Sequence, residues 1–193
     1  MATEGDGATA RGSATRARII AATAGLLAAG GSTDVTVSGI ARAAGVYPNQ
    51  ITHHFGSKDR LVLDAAFTLF LRDTSRMQVA GRRIGSPEAF RSVLARTTLT
   101  MPSLPLVVAA LGAGGRERST HLLGLLFRQS ERYLERIADD RDWVLGPVQR
   151  DVRTFWSAAF GAALLGGAGG GVAPEDVDLA ATLSISTRPV GGR

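Results

Sequence analysis

Thr36–Lys58, TVSGIARAAGVYPNQITHHFGSK, predicts two short helices joined by a tight turn. Thr36 is a good N-cap, because its hydroxyl can accept a free backbone N–H of a first helical turn. Apolar residues then recur at helical spacing, at Val37, Ile40, Ala41 and Ala44. Gly45 ends this helix, since only glycine enters a left-handed turn without steric cost. Pro48 suits the first turn of the second helix, where its missing N–H would have no helical partner.

The second helix has an apolar side and a polar side. Val46, Ile51 and Phe55 can pack it against the first helix. The remaining side chains form a polar surface: Tyr47, Asn49, Gln50, Thr52, His53 and His54. In a helix-turn-helix unit the second helix enters the major groove of DNA, where Asn and Gln can pair with adenine edges. The stretch therefore predicts a DNA-binding unit.

The motifs of this stretch occur in the same order as in the DNA-binding domain of the tetracycline-repressor (TetR) family of bacterial transcriptional regulators, which the stretch therefore resembles. The resemblance covers about residues 14 to 66 and is carried by Thr36, Ile40-Ala41, Ala44-Gly45-Val46, His54-Phe55 and Lys58 to Leu61. Two positions depart from the family pattern. Tyr47 stands where a serine is usual, and Thr52 replaces a tyrosine that normally touches phosphate. The resemblance implies a homodimer that binds a palindromic operator as a repressor and is released by a small-molecule effector.

We expect nine residues to form the DNA-binding surface: Thr36, Tyr47, Pro48, Asn49, Gln50, Thr52, His53, His54 and Lys58. Among them, Tyr47, Asn49 and Gln50 should read base edges. Thr36, Thr52, His54 and Lys58 should mainly contact phosphates, while His53 could belong to either set. Lys58 is the single lysine among 22 basic residues, and it stands at a helix N-terminus, which favours an anion. The alternative for Lys58 is a solvated surface side chain.

Composition sets looser limits on the chain. Its 193 residues can hold one large or two small domains, and its net charge of +5 is compatible with an anionic partner. The absence of cysteine excludes disulfides and thiolate metal sites and suits a cytoplasmic location. No apolar stretch reaches the roughly 20 residues of a membrane span. Residues 1–12 lack the apolar run of a secretory signal, and we expect them to form a disordered arm.

The rest of the chain alternates apolar helical patterns with Gly and Pro breaks, without strand-like alternation or internal repeats. We therefore predict an all-α fold of about nine helices. The domains should be the arm at 1–12, the helix-turn-helix domain at 13–63, and a ligand-binding and dimerisation domain at 64–193. Helices are expected at 13–29, 36–44, 48–55, 58–80, 87–100, 106–111, 116–138, 148–165 and 175–186.

Enzymatic chemistry finds no support in the residue pattern. The adjacent His53 and His54 point about 100° apart on a helix and cannot share a metal. Gly166–Gly171 lacks the preceding strand that a dinucleotide-binding loop needs. The acidic cluster Asp139, Asp140 and Asp142 is better explained as a solvated helix end. We therefore expect no catalytic residue, cofactor or metal. A helical small-molecule-binding protein without a regulatory role is the alternative function.

The second domain should contain an apolar pocket and a dimer surface. We expect the pocket to be lined by Phe67, Phe70, Phe90, Leu94, Leu104, Val107, Leu111, His121, Leu125, Arg128 and Trp156, with His121 or Arg128 as its polar group. Core packing remains an alternative for His121 and Trp156. The dimer surface should come from helices 148–165 and 175–186, as an intersubunit four-helix bundle that the resemblance also implies. Its residues should be Phe155, Ala159, Phe160, Ala162, Ala163, Leu179 and Leu183. The alternative is packing within one chain.

Overall fold

A computed structural model describes the backbone of residues 4–167 and 177–188, and side chains from residue 11 onward within those ranges. It contains eight α-helices in these ranges: α1 Glu4–Gly30, α2 Val37–Ala44, α3 Pro48–Phe55, α4 Lys58–Gly81, α5 Pro87–Leu99, α6 Ser103–Leu111, α7 Arg116–Arg141 and α8 Val148–Gly167. Two short strands, β1 Trp143–Leu145 and β2 Ile185–Thr187, pair antiparallel, and a 3₁₀ turn spans Ala180–Thr182. The predicted all-α class is confirmed, with this small sheet as an addition.

The first three helices and the start of α4 form a head with its own apolar core. This core consists of Ile19, Ile40, Ala41, Ala44, Ile51, Phe55 and Leu61. Local signals delimit its short helices: a side-chain cap begins α2, and Pro48 begins α3. The helix-turn-helix unit is therefore held by its own packing.

The larger core lies between α4, α5, α6, α7 and α8. At its centre the Trp156 ring lies 5.2 Å from the Phe70 ring, between centroids, and the Phe90 ring lies 5.4 Å from that of Trp143. Between Leu61 and Phe70, α4 is buried on nearly all sides. Ala24 and Leu27 of α1 also belong to the larger core. The two cores thus meet through α1 and α4.

The predicted last helix is wrong. Its first two residues, 175 and 176, lie outside the described residues, and the chain beyond them forms the 3₁₀ turn and then β2. In β2 Ile185 is buried, while Ser186 and Thr187 are exposed, so only one side chain of the strand packs on the core. A buried carboxylate fastens the strand, because Asp151 Oδ2 accepts the Ser184 backbone N–H at 2.8 Å. Tertiary contacts therefore outweigh the local helical pattern.

Two helix starts also differ from the prediction. α1 begins at Glu4, so the residues assigned to a disordered arm at 1–12 are helical from Glu4 on; no proline interrupts them. α6 begins at Ser103, before Leu106, because Pro105 falls in its first turn, where a missing N–H is tolerated. Among the described residues no single helix is long and apolar enough to cross a membrane. The pair α5 and α6, bent by 65°, meets that test by length and composition only.

Candidate functional sites: a helix-turn-helix face and a small cavity

The turn between α2 and α3 has the geometry that its sequence predicts. Thr36 Oγ1 accepts the Gly39 backbone N–H at 3.0 Å, which caps α2. Gly45 takes φ +62° and ψ 42°, and the N–H of Val46 then returns to the carbonyl of Ala41 at 3.0 Å. Because the Thr36 hydroxyl accepts in this cap, its own hydrogen stays available to a phosphate oxygen. Thr36 is exposed and can act both as a cap and as a phosphate donor.

The start of α3 uses one of the predicted DNA-reading side chains. Gln50 Oε1 accepts the Tyr47 backbone N–H at 3.3 Å. The amide oxygen of Gln50 is thus engaged in capping its own helix, and its second lone pair and the NH₂ group remain for a partner. A bidentate contact with adenine uses both the oxygen and the nitrogen of an amide. A contact of Gln50 with adenine would therefore share this oxygen with the cap, whereas the exposed Asn49 is under no such constraint.

The structure brings the predicted α3 residues together on one solvent-facing side. Tyr47 is 78% exposed. Pro48, Asn49, Thr52 and His53 are exposed as well, and Gln50 and His54 are half-buried. On the opposite side, Ile51 and Phe55 are buried in the head core. The helix therefore offers solvent a polar, partly aromatic face, and the contacts of this face with DNA stay a prediction.

Lys58 lies in the first turn of α4, where backbone N–H groups lack helical partners. Ser57 Oγ accepts the N–H of Arg60 at 3.2 Å and caps the turn. The Lys58 ammonium is half-exposed and 3.9 Å from Asp59 Oδ1, which is a loose ion pair. The ammonium, the free N–H groups and the helix dipole all favour an anion beside Lys58.

A small cavity lies in the larger core between α4, α5, α7 and α8. Its volume is about 30 Å³, which is room for only one or two water molecules. The lining residues are Thr74, Met77, Gln78, Leu94, Leu126, Gln129, Ser130, Tyr133, Leu134, Val152, Phe155, Trp156 and Leu183. The polar groups bond to one another: Tyr133 Oη donates to the Gln78 carbonyl at 3.1 Å, and Trp156 Nε1 donates to Ser130 Oγ at 2.9 Å. Burial raises the pKa of Tyr133 to about 12, although the nearby Arg82 and Arg141 act to lower it.

This cavity is not the pocket that the sequence predicts. Of the expected lining residues, only Leu94 and Trp156 contribute to it. The two expected polar groups, His121 and Arg128, are exposed on α7, and so is Leu125. The buried stripe of α7 instead follows Leu122, Leu126, Tyr133 and Leu134 at helical spacing. Phe67, Phe70, Phe90, Leu104 and Val107 fill the core, and Leu111 is half-buried.

The predicted dimer residues are also divided by the structure. Phe155, Ala159, Leu179 and Leu183 are buried within their own chain and cannot face a partner. Phe160, Ala162 and Ala163 are half-buried on α8. Beside them lie Leu164 and Leu165 of the same predicted helix, which are 58% and 47% exposed.

A third feature is an ion-paired cluster at the junction of the head and the larger core. The sequence did not predict it. Asp64 of α4 is only 6% exposed and bonds to Arg16 of α1 and Arg118 of α7. The three residues are far apart along the chain, so spacing carries no signal for them. Within the described residues, no group of three or more His, Cys, Asp or Glu side chains could hold a metal.

Comparisons with known proteins identify both halves of the chain. Residues 19–65 match the model for bacterial regulatory proteins of the tetR family, and residues 87–184 match the model for the C-terminal domain of bacterial transcriptional repressors. No curated protein matches the sequence. Among solved structures, the fold is similar to a candidate transcriptional regulator from Rhodococcus sp. RHA1, at 28% identity and a TM-score of 0.70, over 87% of this chain and 93% of that one.

Two further structures are similar in fold alone. Reduced NemR from E. coli shares 17% identity, with a TM-score of 0.60 over 91% of this chain and 100% of that one. A tetR-family regulator from Streptomyces coelicolor shares 18%, with a TM-score of 0.56 over 88% and 78%. The C-terminal match alone spans just over half of the 193 residues. The chain therefore belongs to the TetR family of transcriptional regulators, with an N-terminal DNA-binding domain and a C-terminal ligand-binding domain.

Proposed function

We propose that this regulator is a repressor that binds a palindromic operator as a homodimer and leaves it when a small molecule enters the C-terminal domain. The observation that carries the proposal is the exposed polar face of α3, which is held on the head core by Ile51 and Phe55. A rigid short helix with amide, hydroxyl and aromatic side chains on its outer face suits the major groove.

Asn49 is the first candidate for reading a base edge. Its amide is exposed and neither of its polar atoms is needed to begin α3, unlike the Gln50 oxygen. Tyr47 can add apolar contact with a thymine methyl group. Thr36, Thr52, His54 and Lys58 are the proposed phosphate contacts, which set affinity and orientation rather than sequence preference. Pro48 shapes the helix start, and His53 stays open between the two sets.

The dimer is proposed to form through the outer side of α8. Leu164 and Leu165 are exposed there, next to the small residues Gly161, Ala162 and Ala163, which allow close approach of a partner backbone. A neighbouring open hollow of about 430 Å³ is also mainly apolar, lined by residues that include Pro105, Leu106, Val108, Ala109 and Leu164. A contiguous apolar surface of this kind marks an interaction site. Two heads joined in this way would read half-sites about 34–36 Å apart.

Release by a ligand requires the cavity to enlarge. A pocket for a drug-sized molecule has roughly 300–1,000 Å³, far more than the cavity of about 30 Å³ between α4, α5, α7 and α8. Such a molecule can bind only if these helices move apart. A ligand that binds the open arrangement more tightly shifts the protein toward it. Because α4 runs from the cavity to the head, that shift would reach the DNA-binding face.

The test is selection of binding sites from a random double-stranded DNA library with purified protein. Selected sites should form a palindrome, and Asn49→Ala should cost about 1–3 kcal/mol at particular base pairs and relax the preference there. Gln149→Ala, an exposed position on α8, is the matched control and should leave the selected motif unchanged. Enrichment no better than that of the starting library would refute the proposal.

A further inference from the structure

A buried carboxylate joins three helices at the junction of the head and the larger core. Asp64 Oδ2 accepts from Arg16 Nη2 at 2.7 Å, and Asp64 Oδ1 accepts from Arg118 Nε at 2.6 Å. A buried charge is costly unless it is paired, and both oxygens of Asp64 are paired by short, charge-assisted hydrogen bonds. Because each oxygen binds a different helix, Asp64 of α4 links α1 to α7.

Arg16 extends this link to the proposed recognition helix. Its guanidinium carbon lies 4.5 Å from the centroid of the Phe55 ring, within the range of a cation–π contact. Phe55 is the last residue of α3, and its ring is buried in the head core. One guanidinium group therefore contacts both the end of α3 and the Asp64 carboxylate.

Arg118 extends the link in the other direction, toward the cavity. It lies in the first turn of α7, and Ser130 of the same unbroken helix lines the cavity about 18 Å farther along at 1.5 Å per residue. The loop that leads into α7 is also packed closely on α4. A Cβ built on Gly114 would lie 2.4 Å from Leu63 Cδ2, next to Asp64. A movement of α7 at the cavity would therefore displace Arg118 relative to α4.

We propose that Asp64 is a positioning residue which, through Arg16 and Arg118, fixes the orientation of the DNA-binding head relative to α7. A shift of α7 then turns α3, because the same guanidinium–carboxylate chain runs from Arg118 to Phe55. The mechanical link stands on the geometry of the junction alone. Its consequence for operator release rests on the proposed function.

The test measures the position of the head directly. The chain has no cysteine, so Ser38→Cys on α2 and Glu135→Cys on α7, both exposed, give two unique sites for spin labels. Electron–electron double resonance then gives the distance distribution between them, with labelled protein diluted in unlabelled protein so that only distances within one chain contribute. The measurement is made without DNA, so failure of the link and failure of the proposed function are distinguishable.

Arg118→Ala should broaden or shift this distribution relative to the parent. Arg116→Ala is the matched control: Arg116 lies in the same turn, is exposed and makes no ion pair among the described residues. It should leave the distribution unchanged. Asp64→Asn keeps the shape of the side chain but removes its charge, and it should change the distance distribution as Arg118→Ala does. If Arg118→Ala does not fold, Asp64→Asn serves as the test variant. Distributions that coincide for parent, Arg118→Ala and Asp64→Asn would overturn the proposal, as would an equal change in Arg116→Ala.

Discussion

The buried hydroxyl of Tyr133 predicts a stability difference that changes sign with pH. Tyr133 is 3% exposed, and its pKa is raised from 10.0 to about 12. A raised folded-state pKa means that the full contribution of the neutral hydroxyl is present below pH 10 and is lost between pH 10 and pH 12. Each pH unit in that window costs about 1.4 kcal/mol. At pH 11 the parent should therefore have lost about 1.4 kcal/mol through this group.

The variant that isolates this effect is Tyr133→Phe. It keeps the ring and removes the hydrogen bond to the Gln78 carbonyl, which also accepts the Arg82 N–H and so is not left unpaired. At pH 8 the parent should be more stable by about 1 kcal/mol, the usual net value of such a bond. Between pH 10 and pH 11 the order should reverse, since phenylalanine has no proton to lose. Urea denaturation of both proteins at equal concentration, from pH 7 to pH 11, measures the difference. A difference that stays constant over this range would refute the reasoning.

Three further predictions follow from other parts of the molecule. Lys58→Ala should weaken binding to all DNA sequences alike and lower the slope of log affinity against log salt by about one unit; fluorescence anisotropy over a salt series measures this, and an altered base preference would contradict it. Leu164→Arg combined with Leu165→Arg should give monomers in sedimentation velocity, while Gln149→Arg stays dimeric; a dimeric double variant would place the interface elsewhere. Although burial acts to raise it, hydrogen bonds from Ser184 and Arg150 hold the pKa of Asp151 below its ordinary value. Its contribution to the free energy of unfolding is therefore present above about pH 4 and is lost as pH falls through the lower folded-state pKa. Asp151→Asn should therefore make the free energy of unfolding, measured by urea denaturation from pH 3 to pH 7, fall less steeply toward acid pH than in the parent. An equal fall in both proteins would contradict this.

The helices that the sequence predicts well have local start and stop signals. Ser57 and Ser86 accept first-turn N–H groups as N-caps, and Gly45 takes the left-handed conformation that ends α2. Such signals act within a few residues, so they can be recognised without tertiary structure. The exposed polar face of α3 is predictable for the same reason, because its residues lie on one short helix.

The cavity and the ion-paired junction depend on contacts that no local pattern specifies. The cavity is lined from four helices, and its polar residues Gln129 and Ser130 carry no distinguishing motif. Helical spacing identifies an apolar stripe on α7 but does not set its rotation exactly enough to separate the exposed Leu125 from the buried Leu126. The pairing of β1 with β2 likewise joins residues 40 to 44 positions apart. Predictions failed where the outcome depended on packing between distant segments.

The Gln50 cap has a consequence for how this protein can change its target during evolution. Because the Gln50 side chain both begins α3 and faces solvent, a substitution there alters the stability of the helix together with any base preference. Asn49 is exposed and makes no such contact, so a substitution there can change base preference without changing how α3 begins. New operator preferences should therefore arise more readily through position 49 than through position 50. Substitutions at position 50 should be limited to side chains that can still accept a hydrogen bond from the Tyr47 backbone N–H.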